Sequence, residues 1–171
     1  MRYDEVLINY ALYVNSVERL GTVDVTMPTI NHKRVNATGA GIAGEVEFPV
    51  VGHVEPMTCQ ITFRNHTASN TSLMAPGIRD IELRGAREEH DTETGAVEII
   101  PIKYVMRVEA LEHNLGKIAP QSTGDGTGSF SVKKLMGFEN GKKFMDIDPL
   151  NYKYEIDGVD YLAAARAALG K

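Results

Sequence analysis

Gly39-Ala-Gly-Ile-Ala-Gly44 spells G-x-G-x-x-G, the spacing that lets a backbone approach a pyrophosphate at a helix N-terminus. That chemistry needs a buried strand before the glycines and a helix after them. Here polar Val35-Asn-Ala-Thr38 precedes, and strand-like Glu45-Val-Glu-Phe-Pro49 follows, so no helix can start. The segment reads as a mobile loop that a partner orders. The histidines (His32, His53, His66, His90, His113) are scattered, with no i,i+4 pair and no cysteine partner, so they do not read as zinc ligands. Asp146, Asp148, Asp157 and Asp160 fit solvated strand-face and turn positions better than a carboxylate pair. Asp125 has a glycine-rich context but lacks the spaced acidic ligands of a calcium loop. Cys59 sits among alternating apolar residues, as a small buried hydrophobe does. No Ser/His/Asp set can be assembled. We therefore assign no catalytic residue, no metal and no cofactor, and expect no enzyme.

The elements that carry these residues are strands. Val6, Ile8, Tyr10, Leu12 and Val14 share one face of an alternating run. Val23 to Met27, Val46 to Val50, Met57 to Phe63 and Ile81 to Leu83 alternate likewise, as does a long strand from Ile100 to Ala110. Antiparallel sheets with one packed and one wet face give this pattern. Polar Arg87 to Thr94 reads as a hairpin end, Asn140-Gly141 as a tight hairpin turn, and Asp157-Gly158 as a turn. Tyr152, Tyr154 and Ile156 form a last strand before a short alanine-rich helix, and Ser69 to Ala75, ended by Pro76-Gly77, could be a second. Two segments lack apolar period and read as flexible loops, 31–45 and 116–128. The fold expected is one domain over 1–171, a mainly β antiparallel sandwich or barrel with one or two short helices.

Composition narrows the function. With 171 residues the chain can bury a core without disulfides, and its one cysteine permits no internal bridge. A net charge of −5 argues against a dedicated nucleic-acid binder, and aromatic content of 7% offers little for a stacking groove. The first residues lack a signal-peptide layout and no run approaches membrane-spanning length, so a soluble chain made in the cytoplasm is expected, without stable membrane association.

Taken in order, Leu7-Ile-Asn-Tyr-Ala-Leu-Tyr-Val14, Val23-Asp-Val-Thr-Met-Pro-Thr29, the glycine loop at 38–44, the strand pair around 99–112, Gly141 to Asp148 and Ile156-Asp-Gly-Val-Asp-Tyr-Leu162 resemble the major tail tube protein of contractile-tailed bacteriophages, the P2-like family. The segment after Phe63 departs from that family, whose helix there is clearer. The resemblance implies hexameric rings, each subunit lending a curved sheet to one barrel around a lumen, with rings stacked into a tube inside a sheath. It implies partners: other copies of the chain, a sheath protein, a tail initiator or baseplate, a terminator, and a tape measure protein and DNA transiently in the lumen. The location implied is a virion tail or tail-like particle, assembled in the bacterial host cytoplasm. Phage-tail-like bacteriocins share the architecture. A type VI secretion-like tube subunit and a monomeric β-barrel binding module are the alternatives.

Three groups of residues follow as candidates. His32, Lys33, Arg34, Asn36, Gly39, Gly41 and Gly44 would form an inter-ring stacking loop. Glu45, Glu47, Glu82, Glu109 and Asp146 would face a net acidic lumen, since a basic bore would hold phosphate by counterion release. Asp157, Gly158, Asp160 and Leu162 would dock the C-terminal segment.

Overall fold

The computed structural model describes residues 2–21 and 23–171. In chain order the strands are β1 (Arg2–Val14), β2 (Glu18–Arg19), β3 (Val23–Thr26), β4 (His32–Ala37), β5 (Val46–Val54) and β6 (Met57–Phe63). After helix α1 (Ala68–Ser72) come β7 (Ile78–Asp91), β8 (Val97–Asn114), β9 (Gly126–Glu139), β10 (Lys142–Asp148), β11 (Lys153–Ile156) and β12 (Val159–Asp160), then helix α2 (Ala163–Ala168). Ten of these strands make one antiparallel sheet in the order β12-β11-β10-β9-β8-β7-β1-β2, with β6 and β3 branching from β9. Among the described residues, strands β4 and β5 pair only with each other.

The branch explains how one sheet encloses a core. One edge of β9 pairs with β8 along its length; the other pairs with β6 over 126–132 and with β10 over 135–139. Lys133 is the extra residue of a bulge between those halves, and a bulge bends and twists its strand. The β6–β3 branch therefore folds across the long strands. Met57, Cys59, Ile61 and Phe63 from β6 meet Leu12, Ile81, Met106, Val108 and Phe130 in one buried cluster. Burial pushes the Cys59 thiol up to about 11, which keeps it protonated and inert.

The turns follow local chemistry. Asn140 and Gly141 (φ 47° and 77°) join β9 to β10, and Asp157 and Gly158 (φ 50° and 83°) join β11 to β12, both left-handed pairs matched to strand twist. Helix α1 is a single turn whose Thr67 side chain accepts from the Asn70 N–H at 3.3 Å.

Four expectations need correction. Val6 and Ile8 are exposed, because register shifts on either side of them take β1 off a simple alternation. Strand β7 continues through the polar stretch to Asp91, where Gly95 N–H returns to Asp91 O at 2.8 Å; β8 holds this charged stretch in register. Residues 31–45 are not one loop. His32–Ala37 is strand β4, because Val35 and Ala37 face Phe48 and Val46 across the ladder, leaving only residues 38–45 as a tip. The second loop is also shorter than read, since β9 starts at Gly126.

Candidate assembly surfaces

Strands β4 and β5 form an arm that stands off the main sheet. Val35 pairs with Phe48 and Ala37 with Val46, which gathers apolar side chains on one side of the ribbon. Arg34 and Asn36 occupy the other side, where Arg34 Nη1 lies 3.2 Å from Glu47 Oε2 and Asn36 Nδ2 donates to Glu45. Both sides are open: Phe48 is 55% and Val35 57% exposed on one, and the Arg34 and Glu47 side chains are 57% and 56% exposed on the other. A two-stranded ribbon in water is marginal, and its apolar side adds a standing drive to associate.

The arm is held at its root by the C-terminal segment. Gly52, in β5, has φ +67°, and a Cβ there would lie 2.5 Å from Leu162 Cγ, so the Leu162 side chain occupies the space over the glycine. His32 Nε2 lies 3.4 Å from Tyr154 Oη with the rings 5.6 Å apart, and His53 meets the edge of Tyr152 at 6.4 Å. Arg166 fastens the segment to itself, donating to Tyr152 O at 2.8 Å and pairing with Asp160 at 2.7 Å. Burial pushes the Asp160 carboxyl up, but hydrogen bonds from Arg166 and the Leu162 N–H outweigh it and hold the group below the usual carboxylate range.

The face of the long sheet turned away from the core carries a lattice of ion pairs. Glu82 bonds Arg84 Nε at 2.8 Å and Ser16 Oγ at 2.6 Å, with Lys103 at 3.6 Å. The Arg84 hydrogen bond, chiefly, lowers its pKa to about 2. Asp146 meets Lys143 and Lys153 at 2.9 Å each and Lys134 at 3.9 Å. Burial raises Asp146, yet the hydrogen bonds from Lys153 and Lys143 bring it below its ordinary value. The β9 bulge projects Lys133 and Lys134 on the same side, to Glu109 at 3.4 Å and Asp148 at 3.5 Å. Arg107 completes the lattice against Asp80 at 2.9 Å.

The phage tail tube protein FII family matches residues 4–170. The chain belongs to that family. Among solved structures it is similar to a cryo-EM structure of the sheath/tube terminator of an extracellular contractile injection system, PVC, in the extended state. That match has a TM-score of 0.56 at 9% identity, covering 80% of this chain and 97% of the other. It is also similar to a chain of the PVC sheath–tube complex in the extended state, with a TM-score of 0.53 at 10% identity, covering 80% of this chain and 92% of the other. No curated protein matches. At these identities the neighbours establish a shared fold.

In this tail tube subunit the residues singled out from sequence fall into distinct places. His32, Lys33, Arg34 and Asn36 lie on β4, with His32 at the root, while Gly39, Gly41 and Gly44 form the arm's tip with positive φ. The tip joins two antiparallel strands, so the glycine fingerprint has no helix behind it. Glu82, Glu109 and Asp146 do share one sheet face, whereas Glu45 and Glu47 stand on the arm. Glu82 and Asp146 are 5% and 3% exposed and each is matched by cations, so neither adds a free negative charge to that face. Asp157 and Gly158 sit at an exposed turn, Asp160 accepts from the Leu162 N–H, and the Leu162 side chain lies over Gly52. Sequence reasoning missed Gly52, Val35 and Phe48. A glycine inside a strand pattern is a signal of close approach by another group, and Gly52 carried it.

Proposed function

We propose that this structural tail tube subunit forms hexameric rings that stack into a hollow tube, with the β4–β5 arm as the element that joins one ring to the next. The single observation that carries the proposal for the arm is its open apolar side, Val35 and Phe48, in a chain of the tail tube family. A ribbon so exposed gains order and buries area when a second copy covers it. The role is architectural, and the chain works without a cofactor.

In the tube the charge-balanced sheet face lines the bore. Each Lys and Arg of the lattice lies within 4 Å of a carboxylate, for example Lys153 to Asp146 and Lys134 to Asp148, so the face offers no cluster of uncompensated cations to a passing phosphate chain. Tape measure protein and DNA occupy that bore in turn. A sheath encloses the tube and a terminator caps it, a reading that the sheath–tube and terminator assemblies of the fold neighbours support, and an initiator at the baseplate starts it. The assembled tube resides in a phage tail or tail-like particle, built in the host cytoplasm.

Negative-stain electron microscopy tests this. Purified chain should form rings or long hollow tubes; a stable monomer at every concentration contradicts the reading. Removing residues 39–44 should leave a folded subunit that makes no tubes, and normal tubes from that variant would show that the arm's tip does not stack rings.

A further inference from the structure

We infer that the C-terminal segment from Tyr152 to Lys171 is a latch that fixes the direction of the arm, so that arm orientation and C-terminal docking are one switchable unit. The inference rests on the reading of the arm as the assembly element, but its geometry stands within a single subunit.

Among the described residues, the arm shares no strand pairing with the main sheet. It is tied there by the chain connections at its ends, by Val54 packing against the core, by Glu55 N–H donating to Asn31 O at 2.8 Å, and by side-chain contacts with the C-terminal segment. Those contacts fall on both strands of the arm. His32 of β4 meets Tyr154, and Gly52 and His53 of β5 meet Leu162 and Tyr152. A grip on both strands restrains the ribbon against rotation as well as bending.

The central contact is a knob on a notch. Leu162 is 5% exposed, and the absent Cβ of Gly52 makes room for it; the glycine's positive φ turns the β5 backbone toward the segment. The segment begins in β11, which pairs with β10 of the main sheet, and beyond β11 the hold is lighter. Strand β12 is two residues long, helix α2 is six, and their internal fastening is the Arg166–Asp160 pair with the Arg166–Tyr152 carbonyl bond. A shallow apolar groove of about 210 Å³, lined by Pro49, Val50, Val51, Tyr154 and Tyr161, opens to solvent beside the notch, so water reaches the edge of the joint. Such a joint opens at lower free energy than the sheet it rests on. When Leu162 leaves the notch, the arm swings while the body stays folded.

Hydrogen exchange on the full-length subunit, kept dilute enough to remain unassembled, reads this directly. Leu162→Ala should speed exchange of the root amides, residues 50–55, by at least tenfold, leave β7–β9 unchanged, and lower the yield of tubes. Gly52→Ala should open the same root, because the new Cβ meets Leu162; Leu162→Ala placed on that background should add less than it does alone. Unchanged root exchange in both single variants overturns the latch. So does equal acceleration throughout β7–β9, which would make Leu162 an ordinary core residue. Failure of wild-type protein to form tubes would count against the arm's role in assembly and leave the exchange result standing.

Discussion

Strands β5 and β6 are neighbours in the chain, carry similar alternating sequences and meet opposite fates. Met57, Cys59, Ile61 and Phe63 of β6 are fully buried, while Val46 and Phe48 of β5 stand in solvent. Both patterns satisfy the rule for a strand with one apolar face. The difference lies in what covers that face. Strand β6 joins β9 and is laid across β7 and β8 by the bend at Lys133, whereas among the described residues β5 pairs with β4 alone and meets the body at its root. Periodicity reports that a face is apolar; the rest of the chain, or another chain, decides what it packs against.

The widest test of that contrast is a pair of truncations. Phe63→Ala should destabilise the subunit by about 3–5 kcal/mol in urea unfolding, as buried aromatic truncations do. Phe48→Ala should change stability by about 0.5 kcal/mol or less, in the range of exposed substitutions, and yet abolish tubes. A large loss of subunit stability from Phe48→Ala would erase the distinction.

Charge sharpens the same comparison. Asp146→Ala leaves Lys134, Lys143 and Lys153 facing one another on the main sheet, and loss of one partner from a buried pair costs about 3 kcal/mol. Arg34→Ala on the arm removes an exposed pair with Glu47 and should register about 0–1 kcal/mol. Chemical denaturation of the two variants side by side checks the ordering.

Acid titration separates the regions again. Because the folded-state pKa of Glu82 is depressed to about 2, its contribution is complete above its unfolded value and disappears as pH falls through the folded one. Stability should therefore drop by about 2 kcal/mol between roughly pH 4.5 and 2, and Glu82→Gln should flatten that part of the profile. The smallest effect belongs to His113, whose pKa is lowered by burial and by neighbouring His66. Its neutral form fits the fold, so thermal stability should decline as pH falls below about 6.5, and less steeply in His113→Phe.

Much of the body was legible in the sequence. The alternation of Met57 to Phe63, the long strand through Met106 and Val108, and the turns at Asn140-Gly141 and Asp157-Gly158 all follow from local chemistry and recur in the structure. The short helix after Leu162 was also readable, because alanines follow the turn without a strand period. What was not legible depends on distant partners. Glu82 and Asp146 look like solvated strand-face carboxylates until Arg84, Lys143 and Lys153 are seen around them. The apolar side of the arm emerges only when β4 and β5 are set in register, since Val35 and Phe48 are far apart in the chain.

The central claim is that the arm is uncovered in the subunit and covered in the tube. Hydrogen exchange of residues 33–48, compared between unassembled subunits and purified tubes, addresses it most directly. The account predicts fast exchange in the subunit and strong protection in the tube, with β6 to β9 protected in both. Equal exchange of residues 33–48 in the two states would contradict it.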